Sequence, residues 1–149
     1  MGQHGGAIVT IITDMWKGWP RMSHSGAARA AVDNLTKTLS IEWAEKGIRI
    51  NCVAPGSSIW SETAAANYAD PELFQKTIPG IPAKRFGRPE EVSATVAFLL
   101  SPAAAFISGV TVKVDGGASL YSQSFYNVPQ HDKMPAYTWE TDVKSKSKL

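Results

Sequence analysis

Residues 47–56, Gly47-Ile48-Arg49-Ile50-Asn51-Cys52-Val53-Ala54-Pro55-Gly56, decide the fold. The run over 48–53 is short and apolar, which is the pattern of a buried strand. Pro55-Gly56 ends it. Gly47 marks the stop of whatever precedes it, since glycine is the usual residue just past a helix C-terminus. What precedes it is a helix over 25–46. Ala27, Ala28, Ala30, Ala31, Leu35, Leu39 and Trp43 supply helix formers at apolar spacing.

Working outward, Ala7-Ile8-Val9-Thr10-Ile11-Ile12 is β-branched and apolar on both parities, a second buried strand. Residues 13–23 contain Gly18 and Pro20 and read as a loop. On the other side, Ser61 starts a short helix reaching about Tyr68, and Asp70-Pro71-Glu72 starts another. Arg88-Pro89-Glu90-Glu91 opens a longer helix, with proline in the first turn and acids at the positive end of the dipole. A third strand over 110–114 closes on Asp115-Gly116-Gly117. Strand, helix, strand, helix, strand implies an α/β protein with a parallel sheet and helices on its faces. Ligands of such sheets sit at the carboxyl ends of the strands. Residues 12–25, 55–63 and 115–120 are therefore the segments to watch. Residues 1–120 form the α/β unit and 121–149 a polar, aromatic tail.

Composition narrows the function. The 149 residues carry 15 Lys+Arg against 13 Asp+Glu, an excess too small to argue for nucleic acid. No apolar stretch approaches the ~20 residues that a membrane-spanning helix needs. The single cysteine, Cys52, has no partner for a disulfide or a metal site, and its apolar surroundings predict a buried, inert thiol. Residues 1–6 read as neither signal peptide nor transit peptide. Ser147-Lys148-Leu149 is the peroxisomal import tripeptide, placed at the chain end where its receptor reads it.

Several runs together resemble the short-chain dehydrogenase/reductase family. They are Gly5-Gly6-Ala7-Ile8-Val9, Arg29-Ala30-Ala31-Val32, residues 34–39, residues 47–56, residues 85–92, Phe98-Leu99-Leu100-Ser101, Ile107-Ser108-Gly109 and Val114-Asp115-Gly116-Gly117. Order and spacing hold from about residue 5 to 120. Within the family, residues 24–30 (His24-Ser25-Gly26-Ala27-Ala28-Arg29-Ala30), Ile81-Pro82-Ala83-Lys84-Arg85 and the import tripeptide resemble the peroxisomal trans-2-enoyl-CoA reductases. The resemblance implies a partial doubly wound parallel sheet, the C-terminal half of a Rossmann-like fold. It implies NADPH as cofactor, an acyl-CoA thioester as substrate, the peroxisomal import receptor as partner and a homo-oligomer in the full-length form. The family's front half, with the Gly-rich turn that cradles the cofactor phosphates, has no counterpart here.

The family's catalytic helix normally carries Tyr-x-x-x-Lys. This sequence has Ser25 and Arg29 at those positions. The spacing keeps both on one helix face, but the chemistry changes. A serine hydroxyl is a far poorer acid than a phenol near pKa ~10. Arginine stays protonated and holds ribose hydroxyls or an anion without shuttling protons. A ketone reductase needs an acid at the carbonyl oxygen. An enoyl thioester needs hydrogen-bond donors for an enolate oxygen and a proton at the α-carbon. The pair thus counts against a carbonyl reductase and is compatible with an enoyl reductase or with a dead enzyme.

Thr13 stands near the family's serine and reads either as a donor to the thioester oxygen or as a strand-end threonine bonded to local backbone. His24 reads as a proton source or as a solvated residue at a helix start. By resemblance, Pro55 and Gly56 approach the nicotinamide, and Ile59 and Thr63 meet its carboxamide and the phosphate. Trp60, Tyr68 and Phe74 read as an acyl channel or as packing. Lys84 and Arg85 read as contacts to CoA phosphates or as surface. Arg29, Asp33 and Lys37 read as an i,i+4 charge ladder. A 2,4-dienoyl-CoA reductase and a non-catalytic interaction fragment are the competing readings.

Overall fold

The computed structural model describes residues 5–66, 72–122 and 125–136. Three parallel strands form one sheet in the order β1-β2-β3. They are β1 (Gly6–Ile11), β2 (Ile48–Pro55) and β3 (Thr111–Val114). Gly6 pairs with Ile48, and Cys52 with Thr111. The helix α1 (Ser23–Glu42) connects β1 to β2, and α4 (Pro89–Leu100) lies between β2 and β3. Two short helices, α2 (Glu62–Ala66) and α3 (Glu72–Gln75), stand between β2 and α4. The α/β class and the parallel sheet are as expected from the sequence. β1, expected as a buried strand, is an outer strand of the described sheet, with Ile11 half exposed.

Two bounds differ. The helix expected over 25–46 begins at Ser23 and ends at Glu42, and Ala44–Lys46 tightens into a 3-10 turn. Gly47, with φ 67°, closes that turn in the left-handed conformation that side chains resist. The strand expected over 48–53 runs on to Pro55, because the amide of Gly56 still bonds the carbonyl of Val114 at 3.0 Å.

β2 is the buried centre, and its two parities face different worlds. Val53 points to the α4 side, into a cluster with Leu99 and Ala104 that Val9, Val92, Val96 and Val112 complete. Arg49 and Asn51 share that parity, and Arg49 fastens the far end of α4. The Arg49 guanidinium donates to the carbonyls of Leu99 (2.9 Å), Ser101 (3.2 Å) and Ile107 (3.2 Å). A cation there meets the negative end of the helix dipole. Asn51 is fully buried, donating to Ile107 and accepting from the amide of Val110.

Cys52 and Ala54 point to the α1 side, where Ile12, Met15 and Val32 join them. Here the sequence reading needs correcting. The alanines and Leu35 of α1 face outward, and the buried residues of the helix are Ser25, Asp33 and Thr36. The helix meets the sheet with its polar stripe. Thr36 bonds Thr10 of β1 at 2.9 Å, and Asp33 accepts from Thr111 of β3.

The tail is partly fastened to the body. The backbone amide of Val128 donates to the Tyr121 hydroxyl, His131 Nε2 lies 3.0 Å from the Pro82 carbonyl, and Arg85 Nε donates to Met134 O at 2.6 Å. Ser147, Lys148 and Leu149 lie outside the described residues, as does Tyr68.

Candidate active site

The carboxyl ends of the strands gather the segments singled out in the sequence. After β1, the amide of Asp14 and the hydroxyl of Thr13 both donate to the carbonyl of Pro55, at 3.1 and 3.3 Å. Of the two roles open to Thr13, the structure therefore shows the backbone bond. Lys17 reaches from the same loop to the carbonyls of Tyr121 (3.0 Å) and Ala118 (3.5 Å). Trp16 lies under the ammonium of Lys113 at 4.1 Å, a cation–π contact.

Just past the end of β2, Gly56 is required by the residue that follows β3. A Cβ on it would stand 2.7 Å from the Cβ of Asp115. The buried Ser58 donates to the Asp115 carbonyl, and the amide of Ile59 turns back onto Gly56 O at 3.2 Å. Ile59 also bridges to Gly87 and lines a small cavity of about 80 Å³ with Ile81, Ala83 and Val114. The Asp115 carboxylate accepts from the amides of Gly117 and Ser119, both at 2.9 Å, closing the turn after β3. Burial pushes its pKa up, the Ser119 and Gly117 bonds pull it down, and the net result lies below the usual aspartate range.

In a β–α–β unit the first turn of the helix lies at this same edge. Ser25 is buried there, and Arg29 Nη1 donates to its Oγ at 2.6 Å and to its carbonyl at 3.3 Å. The expected ladder through Arg29, Asp33 and Lys37 is therefore half formed. Lys37 pairs with Asp33 at 2.6 Å, while Arg29 turns to Ser25 instead. The consequence is chemical. Arg29 fills an acceptor site of Ser25 Oγ, and among the described residues the serine's own proton has no acceptor. A hydroxyl polarised in this way by a cation is a better donor to a third group. His24, beside it, is exposed.

Thr63 lies on α2. Trp60 stacks on Phe86 with ring centroids 6.0 Å apart, and the side chain of Phe74 is outside the described residues. Lys84 and Arg85 have inward roles. Lys84 donates to the Pro79 carbonyl at 2.7 Å. Arg85 makes a two-point pair with Glu91 (2.6 and 2.8 Å) while also holding the Phe86 and Met134 carbonyls. Arg85 is thus a strut between the 79–91 segment, α4 and the tail.

A family profile described as enoyl-(acyl carrier protein) reductase matches residues 1–119. Among curated proteins, a 3β-hydroxysteroid dehydrogenase of Eggerthella lenta is 43% identical over 103 residues, 69% of this chain and 39% of its own length. The chain belongs to the short-chain dehydrogenase/reductase family. A probable 2,4-dienoyl-CoA reductase of Bacillus subtilis is 37% identical over 124 residues, covering 83% of this chain and 49% of that protein. A citronellol catabolism dehydrogenase structure from Pseudomonas aeruginosa superposes with TM-score 0.64 at 45% identity, covering 78% of this chain and 44% of that one. A short-chain type dehydrogenase/reductase from Mycobacterium ulcerans gives 0.71 at 32% identity, covering 78% and 42%. The chain spans less than half the length of each of these relatives.

Members of this family work with a nicotinamide dinucleotide. The residues here fit one end of such a cofactor. Arg29 keeps Nε and Nη2 without a protein partner among the described residues, so they remain available to ribose hydroxyls. The Pro55 carbonyl and the Gly56 and Ile59 amides are already bonded within the chain. Among the described residues, no glycine-rich turn between a strand and a helix is present to cradle the phosphates.

Sequence reasoning missed four fastenings: Asp33–Thr111, Arg49 to the end of α4, Asn51 to the 107–110 turn, and Lys17 to the 118–121 turn. A usable clue for two of them was an Arg and an Asn inside an otherwise apolar strand. Buried polar residues of that kind must find partners.

Proposed function

We propose that the chain is the substrate-side half of an NADPH-dependent reductase that converts trans-2-enoyl-CoA to acyl-CoA in the peroxisome. The observation that carries this reading is the Ser25–Arg29 pair at 2.6 Å, standing where the family has a phenol and a lysine. A bound reduced nicotinamide supplies a hydride to the β-carbon of the substrate. The chain's own part is to meet the negative charge that then collects on the thioester oxygen. Ser25, polarised by Arg29, donates to that oxygen, and pre-aimed donors of this kind are worth ~3–4 kcal/mol in acyl chemistry. Arg29 remains charged throughout and also takes the ribose. The proton that completes the α-carbon comes from His24 or water. The likeness to a protein described as a probable 2,4-dienoyl-CoA reductase supports a CoA-ester substrate. It also keeps the dienoyl thioester as the second reading.

The test is NADPH consumption by the protein joined to the Gly-rich half, with a medium-chain trans-2-enoyl-CoA, a 2,4-dienoyl-CoA and a ketone compared. Turnover of the ketone with the thioesters ignored would overturn the proposal. For this chain alone, a nicotinamide fluorescence titration with no saturable change favours the non-catalytic reading. The import receptor is proposed to read Ser147-Lys148-Leu149, and removing Leu149 is expected to leave a tagged chain in the cytosol.

Self-association is proposed as well. Leu35 and Ile41 are exposed on the outer side of α1, and β1 is an outer strand. Outer strands and exposed apolar patches both favour association. Sedimentation is expected to show oligomers; a single monodisperse monomer would contradict this.

A further inference from the structure

The helix that carries Ser25 and Arg29 rests on the sheet through a small apolar contact at Val32 and through two side-chain hydrogen bonds. Apolar contacts are non-directional and locate a helix by shape complementarity alone. Hydrogen bonds weaken steeply with misalignment. Asp33 is the strongest of the fastenings. It is 8% exposed, one carboxylate oxygen accepts from Thr111 on β3, and the other accepts from Lys37. Charge-assisted bonds of this type are roughly twice as strong as neutral ones, so this bond outranks the neutral Thr36–Thr10 contact to β1. Asp33 also lies on the same helical stripe as the pair, one turn beyond Arg29 and two beyond Ser25. At 1.5 Å per residue, a slip of one position along the axis displaces the serine hydroxyl by ~1.5 Å. Misplacement by ~1 Å is enough to cost a catalytic group much of its effect.

We infer that Asp33 is a positioning residue, which sets the axial register of Ser25 and Arg29 by accepting the hydroxyl proton of Thr111. The inference rests on the reading of Ser25–Arg29 as the working pair, and it assigns Thr111 a task that only a hydroxyl can perform. The burial of Asp33 by itself would serve stability alone; the reach to β3 at one defined rung of the sheet is what makes it a ruler.

The test reads geometry, so it is independent of activity. In a ¹⁵N-labelled chain, the Ser25 amide and the Arg29 Nε–H are followed in Thr111→Val and Thr111→Ser. Thr111→Val keeps shape and removes the donor. It is expected to shift both signals by several line widths, with signals of the Leu99 cluster unmoved. Thr111→Ser keeps the donor and is expected to restore the parent positions. A folded Thr111→Val with Ser25 and Arg29 unmoved overturns the inference. If Thr111→Val does not fold, Thr111→Ser decides. Parent-like signals support the hydroxyl as the ruler; displaced signals show that the methyl sets the register, and overturn it. A failure of enoyl-CoA turnover would remove the proposed reaction and leave these shifts untouched, so the two ideas fail separately.

Discussion

The two faces of the sheet are built on different principles. Toward α4, Val9, Val53, Val96, Leu99 and Val112 make a dry seam. Toward α1, a smaller apolar cluster of Ile12, Cys52, Ala54 and Val32 stands beside hydrogen bonds from Thr36 to Thr10 and from Thr111 to Asp33. The first face holds the unit together, and the second holds the candidate site in place. Hydrophobic burial is strong but carries no preferred direction, whereas a polar seam costs desolvation and returns direction. Cys52 shows the consequence for chemistry. Burial pushes its thiol above the ordinary cysteine range, more than the neighbouring Thr10 and Thr111 bring it down. It is shielded rather than activated.

The sharpest way to break this comparison is Leu99→Ala. Leu99 is 1% exposed and central to the dry seam. Its loss is expected to cost ~2–5 kcal/mol in urea or thermal melts. A cost below ~1 kcal/mol would mean that the α4 face is not the core. Asn51 sharpens the contrast, as a polar group on the dry side. Asn51→Leu orphans the Val110 amide and leaves the Ile107 carbonyl to Arg49 alone, and is expected to cost ~1–3 kcal/mol in the same melts. A neutral result would show that the 107–110 turn finds other partners.

Acid tests the charged edges of both faces. The Arg85 bonds hold Glu91 below the usual glutamate range against the opposing effect of burial. Asp33 is raised by burial, yet the Lys37 and Thr111 bonds leave it lowered. A lowered folded pKa means that the unfolded chain takes up protons first. The stabilisation is therefore complete above the ordinary carboxylate range and is lost as pH falls through the depressed folded values. Melts from pH 7 to pH 3 are expected to show this loss. Glu91→Gln should cost ~1–2 kcal/mol at pH 7 and flatten the slope. An unchanged slope would remove the Arg85–Glu91 pair from the account.

Much of this was legible in the sequence, and the illegible part has one cause. Periodicity and stop residues marked the three strands, α1 and α4, because Gly47, Pro55 and Pro89 act locally. The match of Arg29-Ala30-Ala31-Val32 to the family's catalytic helix pointed to the Ser25–Arg29 pair. What could not be read was which side of α1 faces the sheet. Alanines and Leu35 suggested an apolar contact, and the helix instead buries Ser25, Asp33 and Thr36. Side-chain partners 78 residues apart, such as Asp33 and Thr111, have no local trace. The fastening of His131 to Pro82 and of Met134 to Arg85, each across 49 residues, is likewise non-local, which is why 121–149 read as a tail.

The smallest expected effect compares how the two helices begin. α4 starts with Pro89 in its first turn, and Glu91 accepts from the amide of Arg88 at 2.9 Å. α1 starts with no side-chain cap and no acid in its first turn. Its approach is a turn in which Met22 N bonds Trp19 O at 3.1 Å, with Pro20 second and Arg21 third at φ 68°. The third position of a turn with positive φ belongs to glycine. An arginine there costs ~1–2 kcal/mol in backbone strain. Glycine removes that strain but gives the unfolded chain ~0.5–1 kcal/mol of extra freedom. Arg21→Gly is therefore expected to stabilise by a few tenths to ~1 kcal/mol, seen as a small rise in melting temperature. Pro89→Gly in α4 should lower it, because glycine gives up the fixed φ that suits the first helical turn. A fall in both variants would mean that the Arg21 side chain, rather than its backbone, holds the entrance to α1. The polar face would then extend one turn further toward the loop than the contacts at Ser25 indicate.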